Sequence, residues 1–267
     1  MRTLVPIVTI LLVVSGMTSL RASALLLIRT PGGLILAADD AATYFLPSRR
    51  ELRQPYCKLD QIDDAVFAIA GFSEIPDTSF DARRVIRRTY DASVPVRRAL
   101  ARVQEALKQT FGESLKAGTL RNYSGLAPNV AVFLVVVPRA GEQGEPTAWS
   151  LRLLADGADE TWNVEAQLEE IPHSWISAFG QTEAMVDALK SGRVSRLAYD
   201  ASVADQMLLL QRLFAIQAAS TPGIGLQYDA VRITAGGIEW LTSERACVSR
   251  QILPRVTPPK WLFDPKE

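Results

Sequence analysis

SALLLIRTPGGLILAADDAATY, residues 23–44, is the stretch whose reading decides the fold. Two apolar runs, 24–28 and 34–38, flank Pro31-Gly32-Gly33, and a turn signal between two such runs predicts a short β-hairpin. Asp39-Asp40 closes the second run, where an acidic pair can simply terminate a strand. The next informative stretch is CKLDQIDDAVFAIAG, residues 57–71. Its run 65–70, closed by Gly71, reads as a buried strand.

On the N-terminal side of the hairpin, one arginine precedes an apolar run at 4–14, and a small, polar segment follows. This is the order of a secretory signal peptide. Its eleven-residue apolar run is shorter than the roughly 20 residues a membrane span needs, while the uncharged stretch from Thr3 to Leu20, at 18 residues, keeps an uncleaved anchor as the alternative. The expected organisation is therefore a signal at 1–22, a domain at 23–253 and an extended tail at 254–267. The expected destination is export, periplasmic or secreted, with no membrane attachment after cleavage. Two cleavage sites compete, after Ala22 and after Ala24.

On the C-terminal side the character turns helical over 79–117. Leu100, Val103, Leu107 and Phe111 recur at helix spacing, and Pro95 divides the region into two helices. The β-branched run at 129–138 is too dense for an exposed strand. Strands are predicted at 149–154 and 160–164, with turns at 139–146 and 155–159. A second helical block covers 181–218, and a closing hairpin covers 228–234 and 238–241. Dense strands with helices in two separate blocks suggest two packed sheets with a helix layer on each side.

The chain of 267 residues carries 29 Lys+Arg and 29 Asp+Glu, a net charge of zero that argues against nucleic-acid or anionic-membrane partners. One histidine, His173, and two cysteines, Cys57 and Cys247, are too few for a His/Cys zinc site, which needs about four ligands. A histidine-based triad would have to use His173, which reads as a loop or edge residue. A metal site made only of carboxylates stays open, but an enzyme of this composition is expected to work without metal and without imidazole. The two cysteines can be read as a disulfide, which an exported protein permits, or as two half-buried thiols. The arginine pairs at 83–84, 87–88 and 97–98 read as solvated helix faces or contacts to a neighbouring subunit.

Together the stretches at 23–44 and 57–71 resemble the start of proteasome β-type subunits and their exported bacterial relatives, among the N-terminal-nucleophile (Ntn) hydrolases. The closing QYDAVRITAGGIEWL, residues 227–241, is similar to the last hairpin of that family. The resemblance implies an α+β fold, a four-layer αββα sandwich. It puts the nucleophile on Ser23 and the catalytic Asp on Asp39. The catalytic Lys falls on Lys58, and the oxyanion-hole glycine falls on Gly71. It implies no cofactor, a peptide or amide substrate, and possible homo-oligomers. The chain departs from the pattern at four places. Ala41 stands where the family has a basic residue, and Gly180-Gln181 where Gly-Ser is common. The segment 220–225 lacks an Asp, and Ala22 precedes the nucleophile where self-processing members often prefer Gly.

That chemistry suits a chain with one histidine. A serine hydroxyl needs a base within hydrogen-bond reach, and a free α-amine, with a reference pKa of about 7.7–8.0, supplies one. Two functions follow as expectations. The first is an Ntn amidohydrolase, a peptidase working through an acyl-enzyme on Ser23. The second is a non-catalytic scaffold or binding subunit that keeps the fold, which Ala41 and the missing Ser/Asp set favour.

Overall fold

The computed structural model describes residues 23–45, 51–71, 73, 78, 80–117, 129–138, 146–158, 161–172, 174–194 and 201–242. Its strands are β1 (Ala24–Thr30), β2 (Gly33–Asp39), β3 (Ala41–Phe45), β4 (Glu51–Pro55), β5 (Leu59–Ile62), β6 (Ala65–Gly71), β7 (Asn129–Pro138), β8 (Trp149–Ala158), β9 (Thr161–Glu170), β10 (Ile176–Gly180), β11 (Tyr228–Thr234) and β12 (Gly237–Trp240). The helices are α1 (Ala82–Thr89), α2 (Val96–Lys116), α3 (Glu183–Lys190) and α4 (Val203–Ser220).

The four-layer αββα sandwich expected from the sequence is corrected by this architecture. The described residues form a mixed fold of four helices and three antiparallel sheets, ordered β10-β1-β2-β11-β12, β3-β4 and β5-β6-β7-β8-β9. The β3–β4 pair, with Ala41 opposite Pro55 and Phe45 opposite Glu51, belongs to no layer of the expected scheme. Several boundaries move as well. β8 runs to Ala158, through the turn predicted at 155–159, and β9 continues to Glu170 because each residue finds a partner on β8. Strand β10, at the front of the second helical block, lacks enough length for periodicity to reveal it.

Local chemistry accounts for the elements that frame the site. Gly32, at φ 73°, makes the β1–β2 turn. A Cβ on Gly33 would overlap the backbone of Ile233, so glycine is what lets β11 close on β2. Asp81 caps α1 by accepting from the Arg84 N–H, and Ser202 caps α4 by accepting from Asp205. Buried Gln217 on α4 accepts from the Met185 N–H, satisfying one open donor at the start of α3.

Three apolar clusters hold these parts together. Phe80, Leu100, Leu107 and Phe111 pack with Phe67, Leu151 and Leu153 of β6 and β8. Leu25, Leu27, Leu36 and Val231 pack with Leu59, Val66 and Ala68 from the other five-stranded sheet. Leu26, Ile28 and Ile35 pack with Met185, Leu210 and Phe214 of α3 and α4. Strand β1 thus faces an apolar cluster on each side, which explains its unbroken apolar spelling. Ser23, where that spelling begins, sits at its end. No helix among the described residues is long and apolar enough to cross a membrane.

Candidate functional site

The site gathers around one carboxylate. Asp39, the last residue of β2, is 0% exposed, and its two oxygens accept four hydrogen bonds. Oδ1 takes the Ala24 N–H at 2.7 Å and the Lys58 Nζ at 2.5 Å. Oδ2 takes the N–H groups of Ala41 at 3.3 Å and Gly225 at 3.2 Å. A buried charge needs both pairing and hydrogen bonds: Lys58 supplies the countercharge, and the three backbone N–H groups supply the other hydrogen bonds.

Lys58 stands just before β5 and is 3% exposed. Burial pulls its pKa below the ordinary lysine value, while the neighbouring Asp39 and Asp40 pull the other way. Its Nζ and the Ala24 nitrogen share one Asp39 oxygen, so they are separated by no more than the sum of the two bond lengths given above. The ammonium is thereby held beside the peptide bond that joins Ser23 to Ala24.

Ser23 is buried, immediately before β1. Its carbonyl oxygen accepts from the Gln181 N–H at 2.8 Å. Ala24 pairs with Gly180, whose φ is 78° and where a Cβ would overlap the Ser23 carbonyl oxygen. Such a Cβ would also lie 3.5 Å from the Ala70 side chain. The end of β6 therefore reaches the same place, and Gly71, at φ 83°, is its last residue. All four predicted site residues come from elements that converge here: Ser23 before β1, Asp39 on β2, Lys58 before β5 and Gly71 on β6.

Three residues that the sequence marked only as departures from a pattern contribute as well. Gly180 admits the Ser23 carbonyl, Gln181 donates to it, and Gly225 donates to Asp39. A Cβ on Gly225 would collide with the Asp40 carboxylate. No residue type signals the donations from Gln181 and Gly225, because what they supply is backbone; glycine at 180 and 225 answers to the lack of room for a Cβ.

Arg83, for which the sequence suggests a solvated helix face or a contact to a neighbouring subunit, turns inward instead. Its guanidinium donates to the Tyr56 hydroxyl at 2.9 Å, to the Leu59 carbonyl at 3.3 Å and to the Cys57 carbonyl, and it lies 5.0 Å from the Tyr56 ring centroid. Its neighbour Arg87 grips Asp60 through both carboxylate oxygens, at 2.7 and 3.0 Å. Cys57 is disulfide-bonded, which removes the thiol reading for it; Cys247, the one other cysteine of the chain, lies outside the described residues. His173 and the tail from Pro254 also lie outside them. Among the described residues no group of three His, Cys, Asp or Glu side chains is placed to hold a metal ion.

No protein-family model matches this chain. No curated protein sequence matches it either.

Proposed function

We propose that the chain is an exported N-terminal-nucleophile amidohydrolase that cleaves amide bonds, most suitably peptide bonds, through an acyl-enzyme on Ser23. The observation that carries the reading is the shared Asp39 oxygen, which ties the start of β1 to the buried Lys58 ammonium. The Cys57 disulfide supports an oxidising destination, as export implies.

In this reading, removal of 1–22 makes Ser23 the first residue and frees its α-amine. That amine takes the hydroxyl proton, directly or through one water, as Ser23 Oγ attacks the substrate carbonyl carbon. Lys58, held by Asp39, lowers the cost of the developing alkoxide. The backbone N–H of Gly71 stabilises the tetrahedral oxyanion, a contribution of about 2.7–4 kcal/mol in comparable sites. Collapse breaks the C–N bond, the amine returns its proton to the leaving nitrogen, and an ester to Ser23 remains. Water then attacks that ester, releasing the acid and restoring the hydroxyl. Near the positions that lack the family's Ser and Asp, backbone N–H groups bond the site, from Gln181 to the Ser23 carbonyl and from Gly225 to Asp39, but no side chain replaces the missing ones. Ala41, which brings no cation, favours the second reading, a binding subunit without catalysis.

Intact mass of the exported protein, followed by labelling with an electrophile that traps N-terminal hydroxyl nucleophiles, tests the proposal. The expected chain starts at Ser23, gains one probe mass, and loses labelling in Ser23→Ala. A chain starting at Leu25, or labelling unchanged in Ser23→Ala, overturns it.

A further inference from the structure

Lys58 has its catalytic value only if its ammonium stays on Asp39, and four rotatable side-chain bonds separate that ammonium from the backbone. What holds the backbone is therefore part of the site. The Lys58 carbonyl accepts from the Ile69 N–H of β6 at 3.3 Å. The carbonyls on either side, of Cys57 and Leu59, both accept from one guanidinium, that of Arg83 on α1. Tyr56, whose own N–H donates to the Asp40 carbonyl at 2.7 Å, gives the same guanidinium a hydroxyl and a ring face.

We propose that Arg83 is a positioning residue for Lys58: by bridging the carbonyls of Cys57 and Leu59, it fixes the segment from which Lys58 reaches Asp39. The inference rests on the reading of Lys58 as the cation beside Ser23. Only arginine suits the place. Its rigid fork presents several N–H donors in fixed directions, so it can span two carbonyls and a phenol at once, whereas a lysine is a point donor on a flexible stem. Arg87, one turn further along α1, touches the same segment only at the Asp60 side chain, beyond Lys58. It is the natural control, because it anchors the same helix to the same strand without contacting either carbonyl.

Two readouts on the chain beginning at Ser23 test this. The first is the ¹⁵Nζ chemical shift of Lys58 followed through pH, assigned among the chain's six lysines by its loss in Lys58→Met. Arg83→Met is expected to move the Lys58 titration midpoint by one pH unit or more, while Arg87→Gln leaves it within 0.2 unit, roughly the scale of measurement error for a group whose shifts report local interactions. The second is the rate of Ser23 labelling. Arg83→Met is expected to lower the maximal rate roughly tenfold, with the half-saturating probe concentration within about twofold, since a misplaced catalytic group slows the chemistry more than it weakens binding. Arg83→Lys should fall between wild type and Arg83→Met in both, and it is the variant to read if Arg83→Met does not fold. A Lys58 titration that responds equally to Arg83 and Arg87 substitutions overturns the positioning role. Absence of labelling in the wild-type chain overturns the hydrolase reading instead, and the Lys58 titration still decides on Arg83.

Discussion

Replacing Asp39 by Asn should be the most damaging single change that keeps the volume of the site. The carboxylate accepts two donors on each oxygen. An amide offers one acceptor oxygen and one NH₂, so whichever way it is turned, two donors lose their acceptor and face another donor. Each orphaned donor costs about 1–3 kcal/mol, and leaving a buried cation without its partner adds to this, with about 3–5 kcal/mol typical of a broken buried pair. Lys58 can shed part of that penalty by releasing its proton, so we expect a net loss of about 4–6 kcal/mol. Lys58→Met leaves Asp39 with its three backbone donors and should cost less, about 3 kcal/mol on the same basis. For a domain of this size each kcal/mol lowers Tm by about 2–4 °C, which puts Asp39→Asn roughly 8–24 °C below wild type. Urea unfolding of the oxidised protein, followed by the fluorescence of its five tryptophans, measures both variants. If both cost under about 1 kcal/mol, or if Lys58→Met costs as much as Asp39→Asn, the account of Asp39 as the hub is wrong.

Two other changes test neighbouring parts of the argument. Gly180→Ala combines a left-handed backbone with a Cβ driven into the Ser23 carbonyl, and should cost about 2 kcal/mol or more in a thermal melt; a variant as stable as wild type would show that β10 does not lie so close to Ser23. Tyr90 is pushed above its ordinary pKa of 10.0 by burial and then by Asp64, to which its hydroxyl donates at 3.1 Å. Below pH 10 the phenol is protonated both folded and unfolded. Above it the unfolded chain ionises first, so stability is lost as pH rises toward the folded value. Tyr90→Phe should therefore lose less stability than wild type between pH 10 and pH 11, and equal slopes in urea melts would count against the burial of this phenol.

The parts of the site that carry a side chain were the parts readable in sequence. A strand ending on an acid, Asp39, and a lysine before a second strand, Lys58, stand out against apolar runs, and the structure puts those two in contact. The hairpin 24–38 was equally plain, because the turn glycines and the unbroken apolar spelling agree. What escaped were backbone contributions and short pairings. Gln181 and Gly225 act through N–H groups, which every residue but proline carries, so no residue type flags them. The β3–β4 pair spans five residues a side, and its pattern Ala-Ala-Thr-Tyr-Phe against Glu-Leu-Arg-Gln-Pro has no apolar alternation to read. The solvated reading of Arg83 rests on arginine pairs ordinarily facing water on a helix, and it fails because its place three residues before buried Ile86 sets it on the inner side.

The bond from Gly225 to Asp39 spans 186 residues, and the partner strand of Ala24, β10, lies some 150 residues downstream of it. The ribosome therefore delivers Ser23 and strand β1 first and the groups that complete their surroundings almost last. Contacts of such separation form slowly, since the loop they close must be ordered before they stabilise anything. A chain still emerging, or one only partly folded, carries Ser23 before the donors from 181 and 225 have closed around it and Asp39. Under the hydrolase proposal, competence arrives only once these distant segments have closed, so the order of synthesis itself keeps the unfinished protein inert.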